Sequence, residues 1–284
     1  MIFNPFLQPD RNLRNIWWVV LFFLVLAAFT LPLILVATRN GFEITITHQV
    51  IIIVLASVIS QALKKRQFSE LTGQINISWL KRLMQGMMIG ATLMIIPSVL
   101  LLVTGHVTWQ GSGIDIRTLT LGTFMFLMVA IAEELLFRGF IFQRLIDAFG
   151  EWPAQIIISL LFLLTHLDNP GMTGNIKLFA SINIFLASIL FGLAYIKTRS
   201  LAMPIGIHFM ANWVQGILLG FGVSGNEQES ILIPVFGKSP EYLTGGVFGL
   251  EASVPGLICV IAAVVMMYRK QGQKSISQNN SLLP

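Results

Sequence analysis

Along this chain the apolar residues come in long blocks separated by short polar or charged connectors, and they hardly ever alternate one by one. A helix needs about 20 mostly apolar residues to cross the hydrocarbon core of a bilayer. The blocks 16–37, 44–63, 83–103, 118–142, 153–167, 178–196, 201–221 and 245–267 meet or approach that length, the fifth being short and the fourth interrupted by charges. Between them stand loop-forming runs such as Lys64-Lys65-Arg66, Gly111-Ser112-Gly113, Asp168-Asn169-Pro170-Gly171 and Gly225-Asn226-Glu227. Barrel strands are excluded because the runs are too long and do not alternate, and an open sheet would leave backbone groups unpaired in lipid. The pattern therefore predicts an all-α, polytopic membrane protein with about eight transmembrane helices. It forms one domain over 1–270, followed by a polar tail at 271–284 that is expected to lack structure of its own. Gly86-x-x-x-Gly90, Gly216-x-x-x-Gly220 and Gly245-x-x-x-Gly249 fit close packing between helices.

Composition agrees. Of 284 residues 55% are hydrophobic and 11% charged, against about 25% charged in soluble domains. Mean hydropathy is +0.79. Arg11 and Arg14 before the first block resemble the start of a signal peptide, but a block of 22 residues from Ile16 to Ala37 exceeds the usual h-region of roughly 7–15. The first block is thus read as a membrane helix, with Trp17 and Trp18 at its interfacial end. One cysteine, Cys259, excludes an intramolecular disulfide framework and a cysteine-rich zinc site.

The net charge of +5 and pI near 9.6 would suggest nucleic acid in a soluble protein. Here no nucleic-acid partner is expected, and the charge is read as basic loops beside anionic lipid headgroups. Of the 18 Lys and Arg residues, only Arg39, Arg117, Lys177 and Lys238 lie outside if the N-terminus is cytoplasmic. That asymmetry predicts both termini inside, in a multi-pass cell-membrane protein.

Ionisable groups within membrane spans are costly and mark functional sites by default. Glu133, Glu134, His166 and His208 stand out, with Arg138 and Asn212 beside them. Glu134 and Arg138 are four apart, share a helix face and can pair. Glu133 is rotated about 100° from Glu134, free to face a wet cavity as a general base. His208 and Asn212, also four apart, could aim two donors at one oxygen, as an oxyanion hole requires. His166 comes from a third helix. His48 and His106 lie near an outer membrane edge with no polar companion in the sequence and are set aside.

The ordered set Glu133-Glu134-x-x-x-Arg138, Phe162-x-x-x-His166 and His208-x-x-x-Asn212 resembles the CAAX prenyl protease and bacteriocin-processing (CPBP, or Abi) family of intramembrane peptidases. The likeness covers the motif-bearing core, residues 118–221. It implies that Glu133 activates a water assisted by His166, and that His208 and Asn212 stabilise the oxyanion. Glu134, Arg138 and Phe162 would support the site. The substrate it implies is a peptide or membrane protein, in the prenyl-processing branch a lipidated one. No metal is the favoured reading, since His-Glu-x-x-His is absent. If zinc were bound, Glu133, His166 and His208 would be its ligands. Two rival functions use the same residues: an ion or proton-coupled transporter, and a non-catalytic immunity or scaffold protein.

Overall fold

The computed structural model describes residues 4–8 and 12–280. Helices dominate: α1 (Asn15–Asn40), α2 (Ile46–Leu63), a short α3 (Ser69–Thr72), α4 (Ile77–Val103), α5 (Ile116–Glu134), α6 (Ile141–Phe149), α7 (Glu151–Leu164), α8 (Gly174–Thr198), α9 (Ala202–Asn212), a short α10 (Glu241–Thr244) and α11 (Val254–Asn280). Five helical stretches among the described residues are long and apolar enough to cross a membrane: α1, α2, α4, the continuous 116–149 stretch and α8. Two shorter apolar helices, Glu151–Leu164 and Val254–Arg269, accompany them.

Many of the large side chains exposed on these helices are apolar, among them Leu24, Leu31, Leu35, Met88 and Val103. A surface of that kind is costly in water and suits lipid. Short polar side chains cap the starts of α4 and α5. Asn76 accepts from the Ser78 and Trp79 amides at the head of α4, and Asp115 from the Arg117 and Thr118 amides at the head of α5. These bonds satisfy amide donors that a helix start leaves orphaned.

Several boundaries differ from the sequence reading. The last block does not begin a helix at 245. Residues 245–252 form tight turns, with Gly245 and Gly249 at φ of 84° and 98°, and helix begins only at Val254. Gly245-x-x-x-Gly249 is therefore a turn element rather than a helix-packing stripe, and Gly220, at φ 72°, lies beyond the end of its helix. Gly86 and Gly90 do pack as such a stripe: side chains there would overlap the Met203 and Ile207 carbonyls of α9. The final helix continues to Asn280, into the segment expected to be an unstructured tail, and 281–284 lie outside the described residues.

A two-stranded antiparallel sheet, unforeseen in the sequence, pairs β1 (Val107–Gly111) with β2 (Leu232–Phe236), placing Trp109 opposite Pro234. It sits in the connectors, outside the five long apolar helices, and Trp109 Nε1 donates to the Leu219 carbonyl at 2.8 Å, tying it to the bundle. His106 also has a companion after all: its Nδ1 lies 3.1 Å from Ser239 Oγ, and Ser239 Oγ donates to the His106 carbonyl. His48 Nδ1 lies 2.9 Å from Thr45 Oγ1, in a capping box at the start of α2.

Candidate active site

The helix carrying the two adjacent glutamates changes character just beyond them. Residues Leu135–Phe140 form a π-helical turn, and Gly139 leaves helical geometry altogether (φ −76°, ψ −118°). A second π-helical turn, Trp213–Leu218, follows Asn212. Such insertions are uncommon and concentrate at functional sites, because an extra residue in one turn re-aims the side chains around it.

Arg138 emerges from the first π-helical turn wholly buried. Its Nη1 donates to Glu134 Oε1 at 3.2 Å and its Nη2 to Ser188 Oγ at 2.7 Å. The rings of Phe162, Phe191 and Phe137 surround the guanidinium at 4.7, 5.1 and 5.7 Å. Burying a charge this deeply is tolerable only with a partner and close hydrogen bonds. The same Glu134 oxygen has a second partner, His208 Nδ1, at 2.9 Å. Glu134 is fully buried and does not reach the cavity described below; its Oε2 has no partner.

Because Arg138 already makes Glu134 an acceptor, His208 must donate from Nδ1, and its Nε2 is left to face the cavity. Phe191 stacks on the His208 ring with centroids 5.2 Å apart and planes 6° apart, and Phe162 meets it edge-on. Ring orientation is thus held by one hydrogen bond and two aromatic neighbours.

Glu133 points elsewhere. Its side chain is 27% exposed, its Oε2 has no hydrogen-bond partner, and His208 Nε2 lies 3.8 Å from that oxygen. It lines a cavity of about 780 Å³ together with His166, His208 and Asn212. The structure thus brings together around one cavity the four residues singled out as catalytic candidates. His166 lies just past the end of α7, where its Nδ1 donates to the Phe162 carbonyl at 2.7 Å. A carbonyl can only accept, so His166 Nε2 is the nitrogen free to accept a proton or hydrogen bond. Asn212 stands one helical turn beyond His208 on the same face.

The rim of the cavity carries polar residues from one end of the bundle: Thr45 and Gln49 at the start of α2, Asn169 after α7, and Asn226 and Gln228 before β2. Lys64, Arg144 and Arg199 stand at or near the far ends of α2, α6 and α8. The Phe137, Phe162 and Phe191 rings that surround Arg138 also line the cavity.

One further acid of the cavity is not among the residues singled out from the sequence. Glu251, in the turn before α11, lines the same cavity. It lies inside the apolar block 245–267, and the rule that marked Glu133 would have marked it. Among the described residues, no group of three His, Cys, Asp or Glu side chains is placed to hold a metal ion.

Comparison with known proteins bears out the resemblance read from the motifs. Residues 115–214 match the family model described as type II CAAX prenyl endopeptidase Rce1-like, a stretch that contains every motif residue from Glu133 to Asn212. The match supports a protease-type function, and with the apolar helices it points to a membrane protein. No curated protein matches the chain.

Proposed function

We propose that this protein is an intramembrane endopeptidase that hydrolyses a peptide bond with a water activated by Glu133. The observation that carries the reading is the unequal fate of two adjacent carboxylates. Glu134 is buried against Arg138 and His208, whereas Glu133 faces a cavity with an oxygen that has no partner.

A water beside Glu133 would give its proton to that carboxylate as the oxygen adds to the substrate carbonyl carbon. His166 Nε2 can accept the water's second hydrogen and fix its direction. The developing oxyanion would receive the Asn212 amide and the His208 Nε2–H. Since His208 Nδ1 already donates to Glu134, Nε2 carries a hydrogen only in the imidazolium form, which Glu134 stabilises. Glu133 then returns its proton to the leaving amine, and the C–N bond breaks. The reaction so drawn assigns no role to a metal. Eight crossings are the proposed topology, the five long apolar helices being joined by α7, by α9 with its π-helical turn, and by α11. With the cation-rich helix ends cytoplasmic, the polar rim opens on the opposite side.

The experiment is turnover of a peptide library by purified protein in proteoliposomes, with products mapped by mass spectrometry. Cleavage by the wild type and none by a folded Glu133→Gln variant is expected. If the wild type instead moves ions or protons across the bilayer and cleaves nothing, the reading is wrong.

A further inference from the structure

Glu251 is held rather than neutralised. Its Oε1 accepts the Ser224 amide at 2.7 Å, the Gln215 Nε2–H at 3.0 Å and the Ser224 hydroxyl at 3.2 Å. All three donors are uncharged, so they fix the carboxyl in place but bring no cation to it, and burial pushes its pKa up. His166 is close enough to act on it electrostatically, but the Nδ1–H of that ring belongs to the Phe162 carbonyl. Among the described residues lining the cavity there are two glutamates and no lysine or arginine. Arg138, the cation beneath it, is sealed behind phenyl rings and paired with Glu134.

Gln215 lines the same cavity. Gln215 is 1% exposed and spends its amide nitrogen on Glu251 and on the Gly222 carbonyl at 2.8 Å, which leaves its Oε1 buried with no donor. Orphaned buried acceptors are uncommon and call for an explanation. A fixed carboxyl met by no lysine or arginine, beside an amide oxygen without a donor, makes an acceptor set. The group that satisfies both is a cation with several N–H donors, an ammonium or a guanidinium.

On the reading of this cavity as a peptidase site, we propose that Glu251 and Gln215 form a specificity subsite for a lysine or arginine side chain of the substrate. A substrate carboxylate placed at this subsite would meet Glu251 with like charge and no lysine or arginine beside it, which selects against it there.

The test uses the full chain in proteoliposomes and a set of capped peptides, acetylated and amidated, each with a single lysine, arginine, glutamine or glutamate at a varied position. The expected result is a kcat/KM about tenfold higher for lysine or arginine than for glutamine at one position, carried by KM. In Glu251→Gln the basic-to-neutral ratio should fall to about one, whereas Ser224→Ala, which keeps the charge, should keep the ratio. Binding supplies a readout independent of turnover: in a Glu133→Gln background the lysine peptide should bind about tenfold tighter than its glutamine twin, and Glu251→Gln should erase the difference. Equal binding of the two peptides to the Glu133→Gln protein would overturn the subsite. So would a Glu251→Gln variant that slows basic and neutral peptides by the same factor, for Glu251 would then be only a loop anchor. Basic preference in binding with no cleavage by wild type would instead overturn the peptidase reading and leave the subsite standing.

Discussion

Glu134 Oε1 lies 2.9 Å from His208 Nδ1, a contact between residues 74 apart in sequence, and the same oxygen takes Arg138 at 3.2 Å. The helix spacing alone suggests a purely structural partner for Arg138. The second bond makes Glu134 the link between a buried cation and a residue that faces the cavity.

The two carboxylates should therefore fail differently. Glu133→Gln is expected to abolish cleavage and leave the thermal midpoint in detergent nearly unchanged, because that oxygen makes no hydrogen bond. Glu134→Gln is expected to lower both, since it unpairs a fully buried arginine, a loss of about 3–5 kcal/mol in comparable buried pairs. Matched turnover and melting measurements check this, and a fully stable Glu134→Gln protein would contradict it.

Asn212→Ala should lower kcat by about 10²–10³, the loss expected for one oxyanion donor, with little change in KM because that donor acts in the transition state. In parallel, elemental analysis of active protein should find no stoichiometric zinc. Activity that disappears with a chelator and returns with zinc would show that His166 and His208 serve as ligands instead.

The packing of α4 on α9 places His208, and Gly90 sets the approach. A Cβ on Gly90 would overlap the Ile207 carbonyl and come within 2.9 Å of the Ala211 amide. Gly90→Val should cost about 1–3 kcal/mol of stability and reduce turnover together with it. Gly111→Ala, where a Cβ meets nothing within 4 Å, is the control that should behave as wild type in the same melting assay.

The start of α5 should respond to acid. The Thr118 amide first, then its hydroxyl and the Arg117 amide, hold the Asp115 carboxyl below its usual range. A carboxyl whose pKa is depressed in the folded protein stabilises it above the unfolded pKa, and that contribution disappears as pH falls through the folded value. Asp115→Ala should thus lower the melting temperature slightly at neutral pH. The difference from wild type should shrink in acid, which paired melting curves across pH would reveal.

Topology can be checked directly. A reporter or accessible cysteine placed after Lys274 should be reached only from the cytoplasmic side, as the distribution of Lys and Arg predicts. Labelling from outside intact cells would reverse the orientation and the side on which the cavity opens.

Membrane character and the positions of the main helices follow from the sequence alone, because hydropathy is summed over neighbours along the chain and needs no partner. The shared face of Glu134 and Arg138, and that of His208 and Asn212, follow from the 3.6-residue period for the same local reason. Contacts between distant segments do not. Whether His208 meets Glu134, whether His106 meets Ser239 across 133 residues, and whether β1 finds β2 depend on how helices rotate and pack. The π-helical turns after Glu134 and Asn212 shift those rotations, and an ideal period does not contain them. Glu251 shows both sides. As an acid in an apolar block its oddity was legible, but only the folded chain carries it into the cavity with Glu133 and hands it to Gln215 and Ser224.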